Sequence, residues 1–251
     1  MKHIILFLLL ISQIFASVVT SSVKTVDEFN NSATIWIDKV DVGMSGFIIH
    51  ELDANHEIIL KNVTVSSYDA KRNIATLSMS DFDGLVNSAL PSVKYNVSVD
   101  DKVVLAFGYS RALLIAPSEE IYHRITKAVK VQWIHPDIFT TILALNGHLA
   151  PVKDDFLDMN RDTSVGLAYF FIREKLYTVD VKSFRVLSIS QAPLTQKSTV
   201  LPFYTRVEKM SNSWWNFGDG TDEVKDYDSY YLSLLLKYNP NNEQLISEMN
   251  K

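Results

Sequence analysis

Two runs rich in β-branched and aromatic residues, Gly46-Phe47-Ile48-Ile49-His50 and residues 58–65, are separated by Asp53-Ala54-Asn55. Such runs favour strands, and the short polar residues favour a turn because their side chains bond the backbone just downstream. Three similar runs follow at residues 74–79, 103–107 and 112–116. Five short strands within residues 34–117 predict a β-rich, small barrel-like N-terminal half rather than alternating βαβ units.

Residues 118–240 predict helices together with an antiparallel β-meander. Ser118 is typical of a helix N-cap, and Pro136 and Gly147 are typical of the two ends of a second helix. Strand runs at residues 165–172, 176–181 and 184–189 predict the meander. Residues 227–238 carry apolar side chains at helical spacing, behind a cap at Asp226, and predict a C-terminal amphipathic helix. The predicted fold class is therefore α+β.

The N-terminus predicts a secretory signal peptide over residues 1–16. Lys2 and His3 form a short basic head, residues 4–11 are all apolar, and Ala16 is the expected cleavage point. An anchor or a buried first strand is the alternative, but the apolar run is far shorter than the ~20 residues that span a bilayer. A flexible polar leader is expected at residues 17–33, and a flexible polar tail at residues 241–251.

The composition narrows the classes of function. The chain has 24 Lys and Arg against 29 Asp and Glu, and loss of Lys2 with the signal would change the net charge from −5 to −6. That balance argues against a general nucleic-acid or anionic-membrane binder, which would carry a basic patch. Without cysteine, stability must come from burial, for which 47% hydrophobic residues suffice. No transmembrane segment is expected after the signal.

Two sequence patterns approach catalytic motifs without completing them. Gly108-Tyr109-Ser110-Arg111-Ala112 approximates a nucleophile elbow, but the second glycine is missing and a strand rather than a helix is expected next, so a hairpin turn is favoured. His135, Asp137, His148 and Asp154 with Asp155 are residue types that bind zinc or iron, at a spacing that matches no closed motif. No catalytic residue, metal ligand or cofactor is assigned, and a metal-dependent hydrolase remains an alternative.

Two non-catalytic features point to modification and to recognition. Asn30 begins an Asn-x-Ser triplet with Glu28 two residues before it, the arrangement that bacterial oligosaccharyltransferases favour. Asn62 and Asn96 also begin acceptor triplets but lack the acidic residue. Lys251 offers an ammonium and a carboxylate on one residue, the pair of charges that the lysine-binding sites of kringle domains recognise.

Several ordered segments resemble one known family. They are residues 42–47, 103–117, 119–123, 133–137, 146–148 and 201–206. Together they resemble the N-terminal domain of the plasminogen-binding protein PgbA family of the Helicobacter and Campylobacter lineage, over about residues 34–240. The resemblance implies an exported, surface-associated protein that captures host plasminogen. Longer members carry a lysine-rich C-terminal extension; here Lys251 is the residue carried across as the kringle ligand, with Lys237 as an internal candidate.

Three functional hypotheses follow. The first is a non-enzymatic binding protein of the cell envelope, in the periplasm or on the outer surface of a Gram-negative bacterium, with plasminogen or another envelope protein as its partner. The second is a periplasmic scaffold or assembly factor with no host ligand. The third is the metal-dependent hydrolase built on His135, Asp137, His148 and Asp154.

Overall fold

The structure is a computed structural model that describes residues 18–82, 84, 95–207 and 223–250. Its first part is a closed antiparallel barrel with the strand order β1-β2-β5-β4-β3-β6. The strands are β1 (Val19–Asp27), β2 (Ser32–Trp36), β3 (Ser45–Asp53), β4 (His56–Asp69), β5 (Ile74–Asp81) and β6 (Lys102–Leu105). The barrel closes because β6 pairs with both β3 and β1.

The second part is a five-stranded sheet with the order β11-β10-β9-β7-β8. Its strands are β7 (Arg111–Ile115), β8 (Gln132–Ile134), β9 (Leu167–Ile172), β10 (Lys175–Asp180) and β11 (Val186–Gln191). Strands β9, β10 and β11 form the expected antiparallel meander. Strand β7 runs parallel to both β8 and β9, so the sheet is mixed.

In the described residues, five helices accompany this sheet: α1 (Glu119–Ala128), α2 (Pro136–Asn146), α3 (Lys153–Thr163), α4 (Tyr227–Tyr238) and α5 (Glu243–Met249). The predicted end signals are confirmed. Ser118 accepts a hydrogen bond from the Ile121 N–H, Asp226 accepts one from the Ser229 N–H, and Gly147 ends α2 at φ 70°.

The inner strands β7, β9 and β10 of the second sheet are buried on both faces, and successive residues of β7 and β9 alternate between two cores. One core, shared with the barrel and α1, takes Ala112, Leu114, Leu167, Tyr169 and Phe171. The other core, against α2, α3, α4 and α5, takes Leu113, Ile115, Ala168, Phe170 and Ile172. A strand covered on both faces is apolar at every position, which explains the unbroken apolar run over residues 112–116.

The predicted α+β fold with a barrel-like N-terminal half is confirmed, but the flexible leader is wrong. Residues 19–27 form β1, with Val23 only 1% exposed inside the barrel. The strand escapes detection because its pairing with β2 shifts register between Val23 and Thr25. Such a bulge breaks the two-residue alternation by which a half-buried strand is identified.

The sequence predicts the strand at residues 112–116 as part of the barrel-like half, but this strand, β7, belongs to the second sheet. The hairpin expected at residues 108–112 is also wrong. Strands β6 and β7 belong to different sheets, so the turn after β6 passes from the barrel to the second sheet. The boundary between the two parts therefore falls between β6 and β7 rather than at Pro117.

The flexible tail predicted for residues 241–251 is wrong as well. Asn242 caps α5 by accepting a hydrogen bond from the Leu245 N–H, and the Leu245 side chain is fully buried. The Lys175 ammonium donates to the Glu248 carboxylate at 2.6 Å, and Arg173 donates to the Glu248 carbonyl. The one apolar anchor and these two polar contacts fix a mainly polar helix against the β9–β10 turn.

A buried carboxylate joins the barrel to the second sheet. Asp180, 0% exposed, accepts from the Ser45 N–H at 3.1 Å, the Ser45 hydroxyl at 2.6 Å and the Tyr109 hydroxyl at 2.7 Å. Its other oxygen accepts from the Ser183 N–H at 2.7 Å. Burial, and next the Asp180 charge, raise the pKa of Tyr109 well above its ordinary value, so the hydroxyl stays a donor. These contacts tie β3 and the β6–β7 turn to the end of β10.

Candidate functional site

Basic side chains surround Tyr238 at the end of α4, and we call this group the Tyr238 patch: Lys153, Arg185, Lys237 and Tyr238. The Lys153 and Lys237 ammonium nitrogens lie 5.0 and 5.5 Å from the centre of the tyrosine ring. Arg185 donates to the Tyr238 carbonyl at 2.7 Å. Lys237 is exposed, and its position in the last helical turn is favourable for a cation because the negative end of the helix dipole lies there.

Helix α5 follows Tyr238 closely in the chain, and Asn250 is the residue directly after this helix. Because Leu245 and Glu248 anchor α5 to the second sheet, Asn250 lies on the surface beside the β9–β10 turn. Lys251 itself lies outside the described residues. Sequence reasoning identified Lys237 but missed Lys153 and Arg185, which come from α3 and the β10–β11 turn and meet Tyr238 only through the tertiary fold.

A second polar group, the Asp137 clamp, holds the segment 201–207 against the start of α2. One Asp137 oxygen accepts from the Thr205 hydroxyl and the Arg206 N–H, both at 2.9 Å. The other accepts from the Arg206 guanidinium, from Nε at 2.8 Å and Nη2 at 2.7 Å. Two guanidinium nitrogens thus share one carboxylate oxygen, and such charge-assisted hydrogen bonds are stronger than neutral ones. The clamp joins residues 133–137 to residues 201–206, two of the segments that carry the family resemblance.

Three aromatic rings pack beside the clamp. The Tyr122 ring lies 5.2 Å from the His135 ring and 5.4 Å from the Tyr204 ring, measured between centroids. Burial lowers the pKa of His135, which favours the neutral ring whose Nδ1 accepts from the Asp137 N–H at 3.2 Å. Burial raises the pKa of Tyr122, and burial followed by the Glu119 carboxylate raises that of Tyr204. His135 is thus the N-cap of α2, as its place before Pro136 indicates.

The clamp predicts a pH dependence of stability. Burial would raise the pKa of Asp137, but the hydrogen bonds from Arg206 and Thr205 outweigh it and lower the pKa below its ordinary value. A carboxyl whose pKa is depressed by folding stabilises the fold above its unfolded pKa of about 4, and that stabilisation is lost as the pH falls through the folded value. Asp137→Asn should therefore lower the free energy of unfolding by about 1–2 kcal/mol at pH 7.

Urea unfolding at pH 7 and pH 3, followed by circular dichroism, measures this effect. The difference between wild type and Asp137→Asn should shrink at pH 3, because the wild-type carboxyl is then being protonated. Asp69→Asn, in an exposed barrel turn, is the matched control. An undiminished difference at pH 3 would show that Asp137 acts through packing rather than through its charge.

The four residues of the hydrolase hypothesis do not come together. His135 Nδ1 lies 3.0 Å from an Asp137 oxygen before the first turn of α2, whereas His148 Nδ1 lies 2.7 Å from an Asp155 oxygen beyond its last turn. The 11-residue helix puts about 16 Å between the two pairs. Asp154 is exposed on α3. Within the described ranges, no group of three or more His, Cys, Asp or Glu side chains is arranged to hold a metal ion. Ser110 precedes strand β7, so the helix that a nucleophile elbow requires does not follow it.

Asn30 lies in the exposed turn between β1 and β2. Its side-chain amide donates to one Asp27 oxygen at 2.7 Å, and its backbone N–H donates to the other at 3.0 Å. Asn62 instead lies within β4, where its amide donates to the Asp81 carbonyl at 2.9 Å. The accessible turn supports Asn30 as the acceptor that we propose for glycosylation.

Coexpression with a bacterial oligosaccharyltransferase that needs the acidic residue should add one glycan to the chain. Mass spectrometry should find this increment in wild type and Asn62→Gln, and should find it absent in Asn30→Gln and Glu28→Gln. A glycan that persists in Asn30→Gln would refute the assignment.

Among the described residues, no helix has both the length and the apolar character needed to span a membrane. Comparison with known proteins gives curated relatives but no match among solved structures. The plasminogen-binding protein PgbA of Helicobacter pylori strain J99 / ATCC 700824 is 26% identical over 200 residues, which are 78% of this chain and 43% of that protein. The same protein of strain ATCC 700392 / 26695 is 26% identical over 202 residues, 79% of this chain and 43% of the relative.

This chain therefore spans less than half the length of the curated relatives it matches. A family model described as "Plasminogen-binding protein pgbA N-terminal" matches residues 18–235, from the start of the barrel into α4. Because that match covers most of the sequence, both sheets and the clamp included, the chain belongs to the PgbA N-terminal family.

Proposed function

We propose that this chain is an exported binding protein of the cell envelope that captures plasminogen. The observation that carries the proposal is the family match over residues 18–235, together with relatives whose names state plasminogen binding.

We further propose that lysine side chains make the contact. Lys251 is the principal ligand, because an ammonium is the cation that the lysine-binding sites of kringle domains recognise. Asn250, which precedes it in the chain, lies at the surface directly after the anchored helix α5. Lys237 is the internal candidate, supported by its exposure at the Tyr238 patch.

Export would rest on the signal peptide at residues 1–16. The protein would then act in the periplasm or on the outer surface of the cell. Plasminogen capture requires the outer surface. Protease treatment of intact cells distinguishes these compartments. A surface protein should be digested while a periplasmic marker stays intact, whereas protection equal to that of the marker would favour the scaffold hypothesis.

Binding of residues 17–251 to immobilised plasminogen, followed by surface plasmon resonance, tests the proposed function. We expect saturable binding that 6-aminohexanoic acid abolishes, because this compound carries the same two charges as a terminal lysine. Acetyl-6-aminohexanoic acid, which lacks the cation, is the matched control and should not compete. No saturable binding would overturn the function, and binding insensitive to both compounds would overturn the lysine mechanism alone.

A further inference from the structure

An apolar groove lies between the end of α1 and the second sheet. Its lining comes from Ile125 and Ala128 of α1 and from Val129, which caps that helix. Leu176 of β10, Ser190 and Gln191 of β11, and the segment 192–194 after β11 complete it. Its volume is about 610 Å³, within the range of roughly 300–1,000 Å³ that small-molecule sites occupy. A specific protein partner would instead need about 800 Å² of its own surface buried. The groove therefore has the dimensions of a small-molecule site.

The lining distinguishes this groove from a second one, at the end of β2 of the barrel. There, Trp36 is surrounded by Asp38, Lys39, Arg72 and Asn73, so charged and polar groups face the space. In the α1 groove the walls are mainly aliphatic, with Ser190 and Gln191 as the polar exceptions, and the charged groups Arg124 and Lys127 come from the exposed side of the helix. An apolar groove with cations at its rim suits an amphiphilic ligand.

The charge at the rim has one sign. Residues 121–136 contain Arg124, Lys127 and Lys130 and no acidic residue, although the chain as a whole has a net charge of −5. Arg124 is paired with Glu120 of its own helix at 2.6 Å. Lys127 is exposed and makes no ion pair within the part of the chain that the structure describes. An anionic group at this rim would therefore meet Lys127 first.

We propose that this groove binds a fatty acid, with the alkyl chain along the aliphatic walls and the carboxylate at Lys127. The apolar walls exclude water from the chain, and burial of methylene groups drives association. Lys127 supplies the cation at the rim, whereas Arg124 is already paired with Glu120. The proposal concerns a different surface from the Tyr238 patch and does not rest on plasminogen capture.

The test titrates residues 17–251 into 11-(dansylamino)undecanoic acid, whose fluorescence rises on transfer to an apolar site, and then displaces it with palmitate. Ala128→Trp fills the groove from an exposed helix position and should weaken binding by about tenfold or more, since it occupies the volume of the alkyl chain. Lys127→Glu should weaken it by about fivefold at low salt, because attraction becomes repulsion. Ala70→Trp and Lys71→Glu, in an exposed barrel turn, are matched controls and should bind as wild type does.

Three results would overturn the proposal. The first is the absence of saturable binding of the probe. This result would overturn the proposal even if an acidic amphipathic peptide bound the groove. The second is unchanged binding in Ala128→Trp once circular dichroism has shown it folded; if it does not fold, Lys127→Glu decides alone. The third is equal displacement by dodecyltrimethylammonium, whose head group has the opposite charge.

Discussion

Asp180→Ala should lower the free energy of unfolding by about 3–5 kcal/mol, the largest loss that we expect from any single substitution outside the aliphatic core. The carboxylate is fully buried and accepts four hydrogen bonds, two from Ser45, one from Tyr109 and one from Ser183. Alanine would leave these donors buried without an acceptor, and each unsatisfied group costs about 1–3 kcal/mol before relaxation. Because the donors come from both parts of the fold, the barrel and the second sheet should loosen from each other.

Urea unfolding followed by circular dichroism measures this loss, and two variants calibrate it. Tyr109→Phe removes one donor and should cost about 1 kcal/mol. Asp69→Ala removes an exposed carboxylate that accepts from the Lys71 and Arg72 N–H groups, and should cost less than about 1 kcal/mol. A loss in Asp180→Ala no greater than in Asp69→Ala would contradict the role assigned to this joint.

Gly108→Ala should cost about 3 kcal/mol, although the same substitution is mild at most exposed glycines. Gly108 has φ 81°, where an L residue is strained, and an added Cβ would lie 2.7 Å from the Ser164 carbonyl oxygen. Its own carbonyl accepts from the Arg111 and Gly166 N–H groups, both at 3.0 Å, so the turn cannot move away without breaking the link to β7. Strain contributes about 1–2 kcal/mol and crowding about 1–3 kcal/mol.

Gly147→Ala is the matched control for this prediction. Gly147 has a similar φ of 70° but ends α2, and only the strain of about 1–2 kcal/mol applies there. Thermal and urea unfolding measure the loss of unfolding free energy in each variant. The difference between the two losses therefore gives the cost of the close approach between the Gly108 and Ser164 backbones. Equal losses would show that conformational strain alone explains Gly108.

The elements that sequence reasoning identified are those specified by neighbours in the chain. Ser118, Pro136, Gly147 and Asp226 act through backbone groups within a turn of themselves, so their residue types suffice to place the helix ends. The meander follows from three runs and two short turns. What was missed depends on distant partners: the bulge in β1 hides its alternation, and α5 is held by Arg173 and Lys175.

The sequence correctly predicts that β7 is a strand, but the prediction places it in the barrel rather than in the second sheet. Residues 112–116 are apolar without alternation, which is typical of a strand covered on both faces, whereas barrel strands alternate. The Asp137 clamp and the Asp180 joint could not be foreseen, because Asp137 meets Arg206 across 69 residues and Asp180 meets Ser45 across 135. The family segments 42–47 and 201–206 nevertheless fall on these two groups, so the resemblance marked structural contacts rather than chemistry.

The most direct test of the proposed function compares plasminogen binding before and after removal of Lys251 with carboxypeptidase B, by surface plasmon resonance on one preparation. We expect removal to weaken binding by about tenfold or more, because loss of the ammonium leaves its partner in a specific site unpaired, which costs at least about 1.4 kcal/mol. Lys237→Gln should remove most of the remainder, and Lys71→Gln should change nothing. Undiminished binding after mass spectrometry has verified the loss of Lys251 would contradict the terminal-lysine contact.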